Sequence, residues 1–110
     1  MIDLHCHSTA SDGTVAPREL PPLAASCGLK ALALTDHDTI SGIDEFMAAA
    51  ASVPQVHCIP GIELAGHLES GEHCHIVGLF VDSKSSELKG LCKLHHLREY
   101  VHPALLRCGR

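Results

Sequence analysis

The residues best suited to chemistry in this sequence are histidines that stand two positions apart. His5 and His7 flank Cys6 directly after a short apolar stretch. In an extended backbone alternate side chains point the same way, so the two imidazoles converge while the thiol points away. Such a pair at a strand end is typical of a metal site, although two partly exposed loop histidines would produce the same string.

An acidic turn, Asp12-Gly13, follows this pair. The glycine permits a positive φ, and such a turn could return the Asp12 carboxylate over the strand end, where it would be a metal ligand. Turn formation alone would also explain the string. The role of Asp12 therefore stays open on the residues themselves.

A second polar cluster, TDHDT, ends an apolar run and should bring His37 close to the first histidine pair. The reason is that ligands collect at the carboxyl edge of α/β sheets. Asp36 and Asp38 are candidates to orient the imidazole from behind by accepting its second N–H. A simpler alternative is that Asp38, Thr39 or Ser41 caps the helix that follows.

Glu63 ends a β-prone apolar run, where a buried carboxylate requires a cation or strong hydrogen-bond donors. A carboxylate that bridges metals meets that need. The next histidine pair, His73 and His75, should place one or both imidazoles at the sheet edge. Five histidines without comparable partners are interpreted as packing or surface residues: His57, His67, His95, His96 and His102.

Strands and helices in alternation must position these side chains. The strands are expected at residues 2–4, 31–34, 56–64 and 75–81, and the helices at residues 17–27, 41–51 and 84–101. Thr14 is a candidate cap for the first helix, and Gly28 should end this helix. A helix start near Pro21 would avoid the loss of a backbone hydrogen bond at Pro22. Alternation of this kind predicts a parallel α/β sheet with right-handed crossovers. Residues 102–110 are expected to be unstructured.

Length limits how much of a barrel the chain can form. The chain has 110 residues, 45% of them apolar, which is the composition of one globular domain. A closed barrel of eight β/α units needs about 250 residues, so the chain supplies about three and a half units. We therefore expect an α/β sheet that does not close.

Charge and composition exclude several classes of function. Eight Lys and Arg against thirteen Asp and Glu give a formal charge of −5, so we expect no binding in duplex DNA grooves, and a phosphate-bearing substrate would need bound cations. No apolar run approaches the ~20 residues of a membrane span, and the N-terminus lacks a secretory pattern, so a cytoplasmic location without membrane contact is expected. The six cysteines form no CxxC pair and are expected to be reduced thiols.

Histidines with carboxylates, without paired cysteines, favour Mn, Fe or Zn bound for catalysis rather than a closed structural zinc site. The strings IDLHCHSTASDGT, LALTDHDT, IPGIEL and HIVGL, in this order, resemble the PHP (polymerase and histidinol phosphatase) family of metal-dependent phosphoesterases. The similarity is greatest to the bacterial subgroup of nucleoside 3′,5′-bisphosphate phosphatases and 5′-to-3′ exoribonucleases. It implies that residues 1–81 form the N-terminal portion of a distorted (β/α)7 PHP barrel, unclosed here, with residues 82–110 as a helix and divergent tail of the same domain.

The resemblance also implies a cofactor and a reaction. Two or three divalent metal ions, commonly Mn with Zn or Fe as alternatives, would be held by the residues that match the family's ligands: His5, His7, Asp12, His37, Glu63 and His75. A metal-bridging hydroxide would attack phosphorus in a nucleotide phosphate ester or at the 5′ end of a short RNA. The later histidine, Asp-x-His and basic motifs of the family are not recognisable in this chain.

Two interpretations follow. In the first, the chain is a phosphoesterase completed by a further segment or by oligomerisation through its open sheet edge; in the second, it is an incomplete fragment that keeps metal ligands without turnover. A structural metal or interaction module is disfavoured because no cysteines pair. An amidohydrolase-like site is disfavoured because no lysine ends a strand.

Overall fold

A computed structural model describes residues 1–67 and 70–100, with side chains for residues 1–66 and 70–93. The expected tail at 102–110 and the side chains of His67, His95, His96 and His102 lie outside the described residues. The elements are, in chain order, β1 (Ile2–Cys6), a 3-10 turn (Pro17–Glu19), α1 (Leu20–Ser26), β2 (Ala31–Leu34), α2 (Ile43–Ala50), β3 (His57–His67), β4 (His73–Leu79) and α3 (Ser86–Tyr100). All four strands and all three helices lie where the sequence predicts them, with boundaries shifted by a few residues.

The four strands form one sheet in the order β1-β2-β3-β4. β1, β2 and β3 are parallel, as predicted, but β4 runs antiparallel to β3, so the prediction of a fully parallel sheet is wrong. The physical reason is the connection between residues 67 and 73, which is too short for the crossover of a dozen or more residues that a parallel pair needs. β3 and β4 therefore form a hairpin, and β1 does not pair with β4, so the described sheet is an unclosed half-barrel.

The first helix begins at a pair of prolines. α1 starts at Leu20, so that Pro21 and Pro22 occupy its first turn, where a missing N–H costs little. This confirms a start near Pro21. Thr14 is not its cap, because the capping position is Glu19 and no side chain bonds there. Gly28 lies just beyond the helix with φ +75° and donates to the carbonyl of Ala25, as predicted for a helix-ending glycine.

The second helix begins without a side-chain cap. Its capping position is Gly42, so the expectation that Asp38, Thr39 or Ser41 caps this helix is wrong. The Thr39 hydroxyl instead donates to the Ser41 hydroxyl at 3.0 Å. Asp38 has a positive φ of 52°, which turns the backbone away from the direction of β2 before the helix starts.

The hydrophobic core lies between the helices and one face of the sheet. Phe46 and Leu34 are fully buried in it and Ile62 nearly so, and burying side chains of this size stabilises the fold by about 1.5–3 kcal/mol each. The outer strands are less covered: Ile2 of β1 is 59% exposed and Ile76 of β4 is 60% exposed. Among the described residues, no helix is long and apolar enough to cross a membrane.

Candidate metal centre

The carboxyl end of β1 presents His5 and His7 to one face of the sheet. Thr35 holds this strand end, because its backbone N–H donates to the Cys6 carbonyl at 2.7 Å and its hydroxyl accepts from the Cys6 N–H at 3.1 Å. Cys6 points away from the histidines and packs against the core. Burial and then the charges of Asp3 and Asp36 raise the pKa of the Cys6 thiol to about 11. This thiol is therefore not a candidate metal ligand.

The turn after β1 returns Asp12 to the histidines. Asp12 Oδ1 lies 2.7 Å from His7 Nδ1, and Asp12 Oδ2 lies 3.2 Å from His37 Nε2. Gly13 donates its N–H to the Ser8 carbonyl at 2.8 Å. Gly13 does not use the positive φ that glycine permits, since among the described glycines only Gly28 and Gly71 adopt one. Gly13 is required for another reason: a Cβ there would lie 2.4 Å from the His7 carbonyl oxygen.

His37 is aligned with Glu63 by backbone hydrogen bonds. The Glu63 N–H donates to the Asp36 carbonyl at 3.0 Å, and the Asp38 N–H donates to the Glu63 carbonyl at 2.9 Å. These bonds form an isolated parallel bridge between His37 and Glu63 beyond the end of β2. Residues opposite each other in such a bridge point to the same face, so the imidazole and the carboxylate meet.

Glu63 lies at the centre of the site and is buried, with 4% of its surface exposed. His5 Nε2 contacts its Oε1, and His7 Nε2 lies 3.0 Å from the same oxygen. Its Oε2 lies 3.4 Å from His37 Nδ1 and 2.8 Å from His75 Nδ1. A single buried carboxylate is thus surrounded by four imidazoles.

His75 reaches this carboxylate because β4 forms a hairpin with β3. It pairs with Ala65, two residues beyond Glu63, and so faces the same side of the sheet. His73 pairs with His67, two residues further along the hairpin than the pair of His75 with Ala65. Among the described residues, His73 is not a member of any candidate metal group.

Interactions inside the site shift three pKa values. Burial alone would raise the pKa of Glu63, but hydrogen bonds from His5 and His7 outweigh burial and lower it. Burial would likewise lower the pKa of His7, yet the hydrogen bonds to Asp12 and Glu63 together raise it. The hydrogen bond from His7 is the main cause that lowers the pKa of Asp12. The two carboxylates are therefore held in the anionic form that binds cations.

Six candidate ligands form three overlapping groups. In each group the ligand atoms lie within 4.8 Å of one another; the groups are His5, His7 and Glu63; His7, Asp12 and His37; and His37, Glu63 and His75. Imidazole nitrogens and carboxylate oxygens are a donor set that divalent Mn, Fe and Zn accept. The side chains of Asp12, His5 and His75 are 62%, 56% and 53% exposed, so the cluster opens to solvent on one side. The residues present therefore fit a divalent metal cluster that a substrate can approach.

The two aspartates beside His37 make contacts that sequence reasoning did not anticipate. The described partners of the Asp36 carboxylate are Ser8 and Ser11 rather than an imidazole. Asp38 Oδ1 accepts from the Ala65 N–H at 3.1 Å and so extends the hydrogen-bond ladder along β3. Ser8 and Ser11 were missed as contributors, although a buried aspartate needs hydrogen-bond donors and both serines lie within four positions before Asp12.

The chain matches known proteins along most of its length. The PHP domain model matches residues 3–106. A 5′-3′ exoribonuclease of Haemophilus influenzae is 48% identical over 89 residues, which are 81% of this chain and 32% of that protein. A 3′,5′-nucleoside bisphosphate phosphatase of Chromobacterium violaceum is 44% identical over 82 residues, which are 74% of this chain and 28% of that protein.

A solved structure has the same fold. It is a Bifidobacterium adolescentis protein assigned to the metal-dependent phosphoesterases, with a TM-score of 0.76 and 29% identity over 84% of this chain and 32% of its own. The chain thus spans about a third of the length of the relatives it matches. The unclosed half-barrel corresponds to one part of a larger PHP fold. Since the family model covers nearly the whole sequence, this chain belongs to the PHP domain family.

Proposed function

We propose that this chain carries the metal site of a phosphoesterase that hydrolyses phosphate esters of nucleotides or the 5′ ends of short RNA. The observation that carries the proposal is the buried Glu63 carboxylate with imidazoles at both of its oxygens and a second carboxylate, Asp12, on the open side. Relatives named as an exoribonuclease and a nucleoside bisphosphate phosphatase support this class of substrate.

Two or three divalent cations, Mn first and Zn or Fe as alternatives, would be held by the three overlapping groups. Glu63 belongs to two of these groups, which suits a carboxylate that bridges cations. When bound, such cations supply positive charge to the phosphoryl oxygens and favour ionisation of the attacking water. That charge is needed because the chain carries a formal charge of −5.

The chain's own residues prepare the site for this chemistry. Glu63 is anionic at neutral pH because its pKa is lowered, and its burial keeps solvent from screening that charge. Asp12 and His5 lie on the exposed side, where the phosphate would enter. His37 connects the exposed carboxylate to the buried one through its two ring nitrogens. The arrangement directs ligands from the ends of β1 and β2, and from β3 and β4, toward one opening.

A second candidate function is metal binding without turnover. It is favoured by one observation: among the described residues, the ion pairs of the Asp12 and Glu63 carboxylates are all with histidines and none is with a lysine or arginine, so bound metal ions would have to hold a phosphate there. Metal-dependent phosphoesterases gain further stabilisation of transferring phosphoryl groups from cationic side chains, so a site without them would bind metal but turn over slowly.

Metal content and turnover measured together test both candidates. The protein is purified in Mn, its metal content is determined by elemental analysis, and phosphate release is followed from a nucleoside 3′,5′-bisphosphate. Two or more ions with turnover lost in His7→Ala and Glu63→Ala are expected. Glu72→Gln, an exposed carboxylate outside the three groups, is the matched control and should keep both properties.

Bound Mn without phosphate release would favour the second candidate. Absence of bound metal would overturn the site assignment itself. A parallel assay with a short 5′-phosphorylated RNA separates the two proposed substrate classes.

A further inference from the structure

We propose that Asp36 is a positioning residue whose buried carboxylate holds the turn that carries Asp12 over the site, and so sets the metal affinity of the group His7, Asp12 and His37. This inference rests on the proposed function. It assigns a role to a carboxylate that none of the three ligand groups contains.

The geometry of Asp36 carries the proposal. Only 2% of its surface is exposed, and its Oδ1 accepts from the Ser8 N–H at 2.6 Å and from the Ser11 hydroxyl at 2.7 Å. Its Oδ2 accepts from the Ser8 hydroxyl at 2.6 Å. One carboxylate therefore binds both ends of the short segment that runs from Ser8 to Ser11.

Each of the three ligands His7, Asp12 and His37 is adjacent in the sequence to a residue of the Asp36 hydrogen-bond network. Ser8 follows His7, Ser11 precedes Asp12, and Asp36 itself precedes His37. A shift of the carboxylate would thus displace three ligands at once, while Glu63 is held separately by backbone bonds of the bridge to β2. The effect of Asp36 should be largest at Asp12, because Asp12 is exposed and belongs to no other group.

A carboxylate is the group that suits this position. It is an acceptor without donors, and it meets three donors here, two hydroxyls and an amide. An asparagine would bring an NH₂ group against at least one of these donors, so Asp36→Asn keeps the volume and loses part of the network. Hydrogen bonds to a charged acceptor are shorter and stronger than those between neutral groups. The single Asp36 side chain can therefore order the turn from Ser8 to Ser11.

A double-mutant cycle on Mn²⁺ binding to the full chain tests the proposal. Asp36→Asn is expected to weaken Mn²⁺ binding by up to about tenfold, the lower end of the range seen for outer partners of metal ligands and no more than the loss expected from Asp12→Asn. In an Asp12→Asn background the same substitution should reduce Mn²⁺ affinity much less, because the ligand through which Asp36 acts is already lost. Equal losses in both backgrounds would show that Asp36 supports the fold as a whole, and would overturn the proposal.

Two further variants keep the test decisive. Ser11→Ala removes one of the three hydrogen bonds and should weaken Mn²⁺ binding in the same direction but less, so it replaces Asp36→Asn if that variant does not fold. Val56→Ala, a core change away from the turn, controls for general destabilisation. It should lower the thermal midpoint without changing Mn²⁺ affinity of the folded protein.

Amide hydrogen exchange in the metal-free protein separates this inference from the proposed function. Asp36→Asn should speed exchange of the Gly13 N–H, which closes the turn, by about tenfold. Exchange of the Glu63 N–H, which is bonded to the backbone carbonyl of Asp36, should not change. Equal acceleration at both amides would overturn the positioning role even if Mn²⁺ never binds, whereas the expected pattern without Mn²⁺ binding would contradict only the proposed function.

Discussion

The two carboxylates of the site are held in different ways. Glu63 lies on a central strand, is buried, and is fixed by backbone hydrogen bonds to residues 36 and 38. Asp12 lies on a turn with 62% of its side chain exposed, and side-chain bonds from Ser8 and Ser11 to Asp36 hold that turn. The strand side is thus built from the sheet itself, and the turn side from a few polar contacts. We therefore expect substitutions on the strand side to reduce Mn²⁺ affinity more than substitutions on the turn side.

The largest effect is expected from Glu63→Gln. It removes an anionic oxygen from two of the three groups, so Mn²⁺ affinity should fall by more than about 100-fold, since loss of an outer partner alone costs about 10–100-fold. Isothermal titration calorimetry measures the change, with Glu72→Gln as the matched control. A loss below that of Asp12→Asn would reverse the comparison between strand and turn.

Gly13→Ala should show how tightly the turn side is packed. The added Cβ would lie 2.4 Å from the His7 carbonyl oxygen, so the turn must shift, at a cost of about 1–3 kcal/mol in unfolding free energy. Urea unfolding measures this. Gly90→Ala in α3 is the control, because nothing lies within 4 Å of its added Cβ, and it should stabilise the helix by up to about 1 kcal/mol. Equal behaviour of the two variants would contradict the close approach at Gly13.

Asp12→Asn should weaken Mn²⁺ binding by about tenfold, the lower end of the range for supporting groups, because its carboxylate is solvent-exposed and belongs to one group only. The same calorimetric titration compares it with Glu63→Gln. A loss as large as that of Glu63→Gln would show that the turn side and the strand side contribute equally to Mn²⁺ binding.

The stability of the metal-free protein should depend on pH through Glu63 on the strand side and His7 beside the turn. Glu63 has a lowered pKa, so its contribution to stability is present above its ordinary value of 4.5 and is lost as the pH falls through the lowered value. His7 has a raised pKa, so its contribution is present below 6.5 and is lost as the pH rises through the raised value. The thermal midpoint in EDTA should therefore be highest between about pH 4.5 and 6.5.

Added Mn²⁺ should move this maximum to higher pH, because metal binding requires neutral imidazoles. His7→Gln should remove most of the decline on the alkaline side in EDTA. An unchanged pH profile in this variant would contradict the assigned hydrogen bonds of His7.

The prediction that bears least on metal binding concerns Cys6, which lies behind the histidine pair. Burial raises the pKa of the Cys6 thiol to about 11, whereas Cys27 is exposed at the end of α1. Iodoacetamide should modify Cys27 more than about tenfold faster than Cys6 at pH 8, since the thiolate is the nucleophile. Peptide mass spectrometry over time measures both rates. Faster modification of Cys6 would show that β1 opens locally.

Sequence reasoning predicted the order of the elements because hydrophobic runs and turn residues are local signals. The start of α1 beside Pro21 and its end at Gly28 follow from the chemistry of single residues. The direction of β4 was mispredicted because an apolar run such as HIVGLFV does not indicate whether its strand pairs parallel or antiparallel to its neighbour. Only the short connection that precedes it decides between crossover and hairpin.

The candidate ligands illustrate the same division. The spacing of His5 and His7 determines that they share a face, because side chains in an extended backbone alternate. Sequence alone left open whether Asp12 approaches them and whether His73 or His75 joins them. The structure places Asp12 beside His7 and His75 beside Glu63, and it forms the turn at Gly13 without a positive φ.

Residue type and local spacing are enough to establish which side chains end each strand and that they are imidazoles and carboxylates. Which of these side chains meet at Glu63, and which donors bond to the Asp36 carboxylate, depends on the folded arrangement of the strands. These contacts join residues from 12 to 58 positions apart, and their geometry depends on strand register and on close backbone packing rather than on any local propensity.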